Sequence, residues 1–235
     1  MRRFSLSRYS PVLDHPAWWG VVAVVCALIL SFPVRTPPPP RTLQHHTAQA
    51  LAAVTVVPTR VHVVGYSRQQ FGAGWASSAT PNGWICTTRE LSLLRVFGGA
   101  ESSGSPPVRA ASAGTKATCP RPGGVGVDEY TGSPIHPNDV DIDHIFPLAA
   151  AWDMGAHAWS AERRREFAND TGRNLAVTAS AVNRDKGDAM PNRWMPPAPA
   201  AHCAYVARFL DVAVAYDLAV TAADVRTARK ACDLT

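Results

Sequence analysis

Apolar residues divide the chain into an N-terminal hydrophobic segment, a proline-rich segment and a long region with mixed patterns. The hydrophobic segment has no charged residue from Pro16 to Val34. A helix of this length, at about 1.5 Å per residue, nearly spans a bilayer core of roughly 30 Å. We therefore predict a transmembrane or signal helix over 16–34. We favour an uncleaved signal anchor, and a cleaved signal peptide is the alternative.

The mixed patterns that follow predict short strands and helices in alternation, which is an α+β fold. In chain order, the predicted elements are a strand at 60–66, a helix at 87–99, a strand at 140–148, a helix at 160–169, a strand at 174–180, a short helix from Ser180 to Gly187, a helix at 203–218 and a last helix from Thr221. Thr87 or Thr88, Ser160, Ser180 and Thr221 can cap the helices that they precede.

The segment between the hydrophobic helix and this region is predicted to be a linker. Residues 35–59 begin with RTPPPPR and continue without an evident helical repeat. A polyproline run is a stiff, extended spacer. We therefore expect a linker over 35–59 and a folded domain over 60–235.

The charge of the chain fits this division. Residues 1–59 hold five arginines and one acid, whereas residues 60–235 hold 18 basic and 17 acidic residues. The arginines before the hydrophobic segment predict that residues 1–15 are cytoplasmic and that the domain is extracytoplasmic, or secreted after cleavage. Because the domain is nearly neutral, any binding of phosphate must use local clusters of cations.

Four cysteines, Cys86, Cys119, Cys203 and Cys232, lie in the part that we expect to be exported. An oxidising compartment favours disulfides, and three pairings are possible. We predict Cys86–Cys119 and Cys203–Cys232, because each pairing is local. An antiparallel packing of the two C-terminal helices would bring the second pair together.

Asp143, His144 and Asn183 are the residues whose chemistry is most suggestive. Hydrolysis of a phosphodiester needs an activated water and charge neutralisation at the phosphate. A histidine can supply the base, while a carboxylate and an amide oxygen suit Mg²⁺. An isolated Asp-His pair is more often structural, but Asn183, one turn into the helix after the second strand, favours a metal site.

Neighbouring residues supply candidate contacts for nucleic acid. Arg184 and Lys186 follow Asn183 closely and could bind phosphates. Arg163 lies on the inserted helix, where at most one or two of three successive arginines can face DNA. Asn174 could brace the loop after His144, and we interpret Asp141 as structural.

Three blocks, Asp143-His144-Ile145-x-Pro147, Asn174-Leu175 and Asn183-Arg184-x-Lys186-Gly187-Asp188, resemble the HNH (ββα-metal) nuclease pattern. This version is similar to the HNH domain of CRISPR effector nucleases, in which Asn replaces the last His. The wider resemblance, over about 66–235, is to exported bacterial HNH endonucleases related to the C-terminal domain of GmrSD-type restriction enzymes. Its further blocks include Tyr66-Ser67-Arg68, Cys86-Thr87-Thr88-Arg89, Asp128-Glu129-Tyr130-Thr131-Gly132 and Trp194-Met195-Pro196-Pro197.

The resemblance implies a ββα-metal core at about 140–190, decorated by helices. It implies that His144 is the general base, that Asp143 and Asn183 bind Mg²⁺ or Mn²⁺, and that Asn174 holds the catalytic loop. Arg184 or Lys186 would contact phosphate. The implied activity is endonucleolytic hydrolysis of DNA, or also of RNA.

Two alternatives remain open from the sequence. One is a membrane-tethered nucleic-acid-binding module with a decayed site, against which the complete Asp-His-Asn set argues. The other is a metal-dependent hydrolase of a different phosphate ester. The expected partners are nucleic acid and a membrane, and nothing in the sequence implies a protein partner.

Overall fold

The computed structural model describes residues 37–99 and 117–234, and within these ranges the fold is mixed α and β, as predicted. The helices are α1 (Arg41–Ala53), α2 (Thr88–Phe97), α3 (Leu148–Asp153), α4 (Ala161–Ala168), α5 (Ser180–Lys186), α6 (His202–Tyr216) and α7 (Ala222–Ala231). The strands are β1 (Val56–Val57), β2 (Ser77–Ala79), β3 (Trp84–Thr87), β4 (Ala117–Thr118), β5 (Gly126–Val127), β6 (Pro134–Ile135), β7 (Val140–His144), β8 (Leu175–Ala179) and β9 (Val220–Thr221).

The predicted hydrophobic helix at 16–34 lies outside the described residues. Within 37–99 and 117–234, no helix is long and apolar enough to cross a membrane.

Strands β7 and β8 form an antiparallel pair in which Val140 lies opposite Ala179 and His144 lies opposite Leu175. Both β-prone runs are thus confirmed as strands. The apolar residues of this pair pack with α2 in one hydrophobic cluster, which includes Leu93, Phe97, Ile142 and Val177. Helix α5 follows β8 directly, so the order strand, insertion, strand, helix is the predicted one.

Local capping signals fix most helix starts where the sequence predicted them. Thr87 and Glu90 form a capping box at α2, and Thr221 and Asp224 form another at α7. The Ser160 side chain accepts from the backbone N–H of Arg163 at the start of α4. The prediction that Ser180 caps α5 is wrong: Ala179 still pairs with Val140 in the sheet, and Ser180 is already the first helical residue.

Helix α6 lies at the centre of the larger hydrophobic core. Val206, Phe209, Leu210, Val212 and Ala213 are all buried along it. The ring of Phe209 stacks on Phe146, just after β7, with 4.5 Å between ring centroids. The core therefore supports the end of β7, where the candidate chemistry lies.

Helix α1 overturns the predicted linker over 35–59. Its residues Leu43, Thr47, Ala50 and the following Val54 recur at helical spacing and pack into the core beside α6. Thr47 is buried in this stripe although it is polar. Its hydroxyl donates to the carbonyl of Leu43 at 2.8 Å, so the buried group keeps a hydrogen-bond partner within the helix. The folded part of the chain therefore begins before residue 60.

The predicted strand at 60–66 is also absent. Val61 and Val64 are 69% and 85% exposed, so the apolar run does not form a buried face. Polar contacts to Asp153 fix the segment instead, because Arg60 Nε donates to Asp153 Oδ2 at 2.7 Å and the Val63 N–H donates to Oδ1 at 2.8 Å. The nearby strand is β1, which pairs in parallel with β9.

The described ranges contain disulfides between Cys86 and Cys119 and between Cys203 and Cys232, the pairings that we predicted. Cys203 lies in the first turn of α6 and Cys232 follows the last residue of α7, so this bond joins the outer ends of the two helices. The carbonyl of Cys232 also accepts from Gln44 Nε2 of α1 at 3.0 Å.

Removing the Cys203–Cys232 bond should destabilise the domain. The double substitution Cys203→Ala, Cys232→Ala should lower the free energy of unfolding by about 2–4 kcal/mol, since the cross-link restricts the unfolded chain. Urea unfolding of both proteins under oxidising conditions measures this. The two proteins should become nearly equal once both are measured in reductant, which also breaks Cys86–Cys119 in each. Recovery of a Cys119–Cys203 peptide from the unreduced parent would contradict both assignments.

Candidate active site

The ends of β7 and α5 open onto a cavity of about 650 Å³. Asp143 and His144 of β7 and Asn183 of α5 all line it, so the structure brings together the three residues that the sequence singled out. Tyr66, Arg68 and Asp188 also line this cavity. We call it the β7–α5 cavity.

His144 is held in one orientation. Its Nε2 lies 2.9 Å from the carbonyl oxygen of Ala168, the last residue of α4. Because a carbonyl can only accept, Nε2 carries the proton and Nδ1 keeps its lone pair. Trp75 stacks on the imidazole with 5.6 Å between centroids and 9° between planes. The hydrogen bond therefore leaves Nδ1 as the ring nitrogen with a free lone pair, on a residue that lines the cavity.

The surroundings of His144 keep it uncharged. Burial above all, together with the positive charges of Arg68 and Lys186, lowers its pKa from the ordinary value of 6.5 to about 3. The hydrogen bond to Ala168 opposes this shift without cancelling it. His144 is therefore neutral in the free protein throughout the neutral pH range.

Asn174 positions the loop that follows His144. Its buried Oδ1 accepts from the Phe146 N–H at 2.9 Å, and its own backbone carbonyl accepts from the Ile145 N–H at 2.8 Å. Its Nδ2 lies 3.4 Å from the Phe167 carbonyl of α4. These contacts agree with the predicted role of holding the loop, which makes Asn174 a positioning residue.

Asp143 is buried and accepts hydrogen bonds from two partners. Lys186 Nζ lies 2.9 Å from its carboxylate, and Tyr130 Oη donates to Oδ2 at 2.7 Å. Burial raises the pKa of Asp143, and the ammonium of Lys186 and the Tyr130 hydroxyl limit that rise. The carboxylate is therefore fixed at the cavity wall by a cation and a hydroxyl.

The prediction that Lys186 binds phosphate is wrong. The residue is 1% exposed, and its Nζ donates to the carbonyl of His144 at 2.8 Å as well as to Asp143. Lys186 lies three residues after Asn183, so both occupy the face of α5 that meets β7. That spacing is the signal by which the sequence could have placed Lys186 inside. Arg184, by contrast, is exposed.

Arg163 does not face the cavity either. Its Nη2 donates to Asp217 Oδ2 at 2.8 Å and to the Tyr216 carbonyl at 3.0 Å, and its guanidinium lies over the Trp159 ring. These contacts tie α4 to the end of α6. The structure therefore gives Arg163 a packing role in place of the predicted contact with nucleic acid.

The role of Asp128 and Tyr130 was missed from the sequence. Buried Asp128 accepts from the Thr178 hydroxyl and from the Ala179 N–H at 2.8 Å, which attaches its turn to β8. The same carboxylate accepts from the Tyr130 N–H at 2.8 Å. This turn places the Tyr130 hydroxyl against Asp143. The Asp-Glu-Tyr-Thr-Gly block stood out in the sequence, but the residues that it contacts lie in the distant strands β7 and β8.

Asp141, which we interpreted as structural, contacts the site through Asn183. It lies two residues before Asp143 on β7, and alternate residues of a strand share a face. Asn183 Nδ2 donates to Asp141 Oδ2 at 3.3 Å. Because a carboxylate accepts, this contact orients the amide and leaves Asn183 Oδ1 available.

The donor set of the β7–α5 cavity fits a hard divalent cation. Asp143 and Asn183 offer carboxylate and amide oxygens, the ligand types that Mg²⁺ prefers. A carboxylate has about four lone-pair sites, so Asp143 can bind an ion beside its two hydrogen-bond donors. Within 37–99 and 117–234, no group of three or more His, Cys, Asp or Glu side chains forms a metal site. Water and phosphate would have to complete the coordination.

Comparison with known proteins identifies the class. Residues 124–227 match the family model of the C-terminal domain of GmrSD restriction endonucleases, which points to a nuclease. A curated relative, an uncharacterized secreted protein of the fungus Arthroderma benhamiae, is 34% identical over 206 residues, covering 86% of this chain and 92% of the relative. The chain belongs to the family of that secreted protein. No solved structure matches the chain significantly.

Substituting Lys186 tests its buried position. Lys186→Met leaves the Asp143 carboxylate buried without its cation, which should lower the free energy of unfolding by about 3–5 kcal/mol. Arg184→Met, two residues earlier on the exposed side of α5, should change it by no more than about 0.5 kcal/mol. Urea unfolding of the two variants decides the matter. Equal stabilities would mean that Lys186 is solvated.

The pKa of His144 predicts the acid response of the metal-free protein. Between about pH 6.5 and 3 the unfolded state binds a proton that the folded state does not. His144 therefore contributes stability that is fully present above this window and is lost as the pH falls through it, by up to about 1.4 kcal/mol per pH unit. Urea unfolding in EDTA across the window should show a weaker pH dependence for His144→Asn. An unchanged slope would contradict the buried, neutral histidine.

Proposed function

We propose that the chain is an exported, metal-dependent HNH endonuclease that hydrolyses phosphodiester bonds in DNA, and also in RNA if the cavity admits it. The observation that carries the proposal is the orientation of His144. Its Nε2 donates to Ala168, so Nδ1 is the nitrogen left to accept a proton, and His144 lines the same cavity as Asp143 and Asn183. The match to the restriction endonuclease domain supports the same reaction class.

In this proposal β7, β8 and α5 are the ββα-metal core within 140–190. The two strands pair along their full lengths, and α5 brings Asn183 back to the β7 end. The segment between the strands contributes to the site, because the Ala168 carbonyl of α4 orients His144. The order of these elements and the positions of Asp143, His144 and Asn183 support the assignment.

His144 is the general base of the proposed reaction. Nδ1 takes a proton from the water that attacks phosphorus, and general-base help of this kind contributes about 10²–10⁴-fold. The imidazolium that forms is stabilised by its N–H bond to the Ala168 carbonyl. The negative charge of a bound phosphodiester offsets the desolvation that depresses the His144 pKa in the free protein.

Asp143 and Asn183 would hold Mg²⁺, or Mn²⁺, beside the base. Such an ion supplies charge stabilisation at the phosphoryl oxygens and at the leaving oxygen. Lys186 partly neutralises Asp143, which weakens the attraction of the cavity for a dication when no substrate is bound. Affinity for the ion should therefore depend on the phosphate of the substrate as a further ligand.

Export is part of the proposal and has independent support. The matched relative is described as a secreted protein, and the described residues of the chain include two disulfides, which persist in oxidising compartments. We assign the export signal to residues 16–34, as an anchor in the membrane or as a cleaved peptide.

The mechanism is tested by cleavage of supercoiled plasmid with Mg²⁺ and with EDTA. His144→Ala should lower the rate by about 10²–10⁴-fold while DNA binding persists, because only the base is removed. His136→Ala, an exposed histidine outside the cavity, is the matched control and should cut at the parent rate. Parent-like cleavage by His144→Ala would refute the base assignment.

Asn183→Ala probes the metal without disturbing the buried pair of Asp143 and Lys186. The half-maximal Mg²⁺ concentration for cleavage should rise, since one oxygen ligand is lost. A parent protein that binds DNA but never cuts it with Mg²⁺ or Mn²⁺ would instead favour the non-catalytic binding module.

A further inference from the structure

Three adjoining cavities lead from the proposed active site along the chain segment 71–77. The β7–α5 cavity shares Arg68, His144 and Leu148 with a second cavity of about 380 Å³. The second shares Gly74 and Trp75 with a third, which Arg165 lines. Because each cavity shares lining residues with the next, the three lie side by side past His144, and we call this row of cavities the Trp75 groove.

Arg68 stands where the first two cavities meet. The residue is exposed, and none of the described residues forms a hydrogen bond or ion pair with its side chain. Its backbone is nonetheless anchored, because Arg68 begins a short 3₁₀ helix that ends in Phe71, which is 2% exposed and packs against Trp152 and Phe167. Arg68 is therefore a cation without a bound partner among the described residues, on a backbone that is held in place. It lies close enough to His144 to lower the pKa of that histidine.

Arg165 stands at the other end of the groove. Of the three successive arginines on α4, Arg163 binds Asp217 and Arg164 donates to the Gln70 carbonyl at 2.9 Å. The guanidinium of Arg165 forms no hydrogen bond within the part of the chain that the structure describes, and the residue is exposed. Its aliphatic stem runs beside Gly72, where a Cβ would lie 3.4 Å from Arg165 Cγ.

Arg68 and Arg165 are free to bind phosphate, whereas Lys186 and Arg163 are not. Lys186 is neutralised by Asp143, and Arg163 is committed to the end of α6. A nuclease must still offset the charge of the phosphate that it cleaves, and guanidinium groups bind phosphate with two parallel hydrogen bonds. One free guanidinium group lies beside the proposed base and the other lies further along the same groove, so the two are placed to bind different phosphates of one strand.

We propose that Arg68 binds the phosphate that is cleaved and that Arg165 binds a neighbouring phosphate of the same strand, which lies across the segment 71–77. This inference rests on the proposed nuclease function and specifies how the substrate is held. Both contacts are to the backbone, and such contacts carry no direct sequence information. Cleavage should therefore show little sequence preference.

Steady-state plasmid cleavage at saturating Mg²⁺ separates the two roles. Arg68→Gln should lower kcat by about 10²–10³-fold, as expected when a group that stabilises transition-state charge is removed. Arg165→Gln should raise KM and leave kcat within about twofold, because its phosphate does not react. Arg226→Gln, which removes an exposed arginine on α7 outside all three cavities, is the matched control and should leave both constants unchanged.

Binding of duplex DNA by His144→Ala protein gives a second readout. Adding Arg68→Gln or Arg165→Gln should reduce the salt slope of log K by about 0.9 and the affinity by roughly eightfold at 0.1 M salt, whereas adding Arg226→Gln should not. Thermal unfolding checks that each variant is folded.

The outcomes separate the two proposals. If His144→Ala is inactive but Arg68→Gln keeps the parent kcat and salt slope, the groove assignment is overturned and the nuclease stands. If Arg165→Gln behaves as Arg226→Gln does, the neighbouring contact is overturned. Parent-like cleavage by His144→Ala would instead overturn the nuclease mechanism on which the groove depends.

Discussion

The ion pair between Lys186 and Asp143 is the interaction on which the site depends. It closes the strand pair against α5, because the ammonium reaches both the Asp143 carboxylate and the His144 carbonyl. An unpaired charge at either position would be costly, since both side chains are buried. The pair therefore fixes the proposed base and one proposed metal ligand in the same contact.

Support for this pair comes from several distant parts of the chain. The Asp128 turn brings the Tyr130 hydroxyl to Asp143, and the end of α4 brings a carbonyl to His144. Asn174 ties the following loop to the same helix. Asp143 and His144 are thus each held by at least one partner that has no proposed role in the reaction. Such partners allow a short strand pair to keep a fixed geometry.

The features that the sequence predicted well have local causes. The helix caps at Thr87, Ser160 and Thr221 are set within three residues, and the strands β7 and β8 by their own apolar patterns. The errors concern contacts between distant segments. The burial of Lys186 requires a partner 43 residues away, and α1 was missed because Thr47 and Ala50 stand in its apolar stripe. Nothing in the sequence distinguishes Arg68 and Arg165 from solvated arginines, because the groove that they line is formed by distant segments of the chain.

The packing of the N-terminal segments limits how this domain can be exchanged during evolution. The family model covers residues 124–227, yet α1 packs on α6, β1 pairs with β9 and Trp75 stacks on His144, all from outside that range. A recombined gene carrying only the matched region would leave α6 and β9 without these neighbours. The two parts must be inherited together, and the similarity to the fungal protein does extend over 86% of the chain.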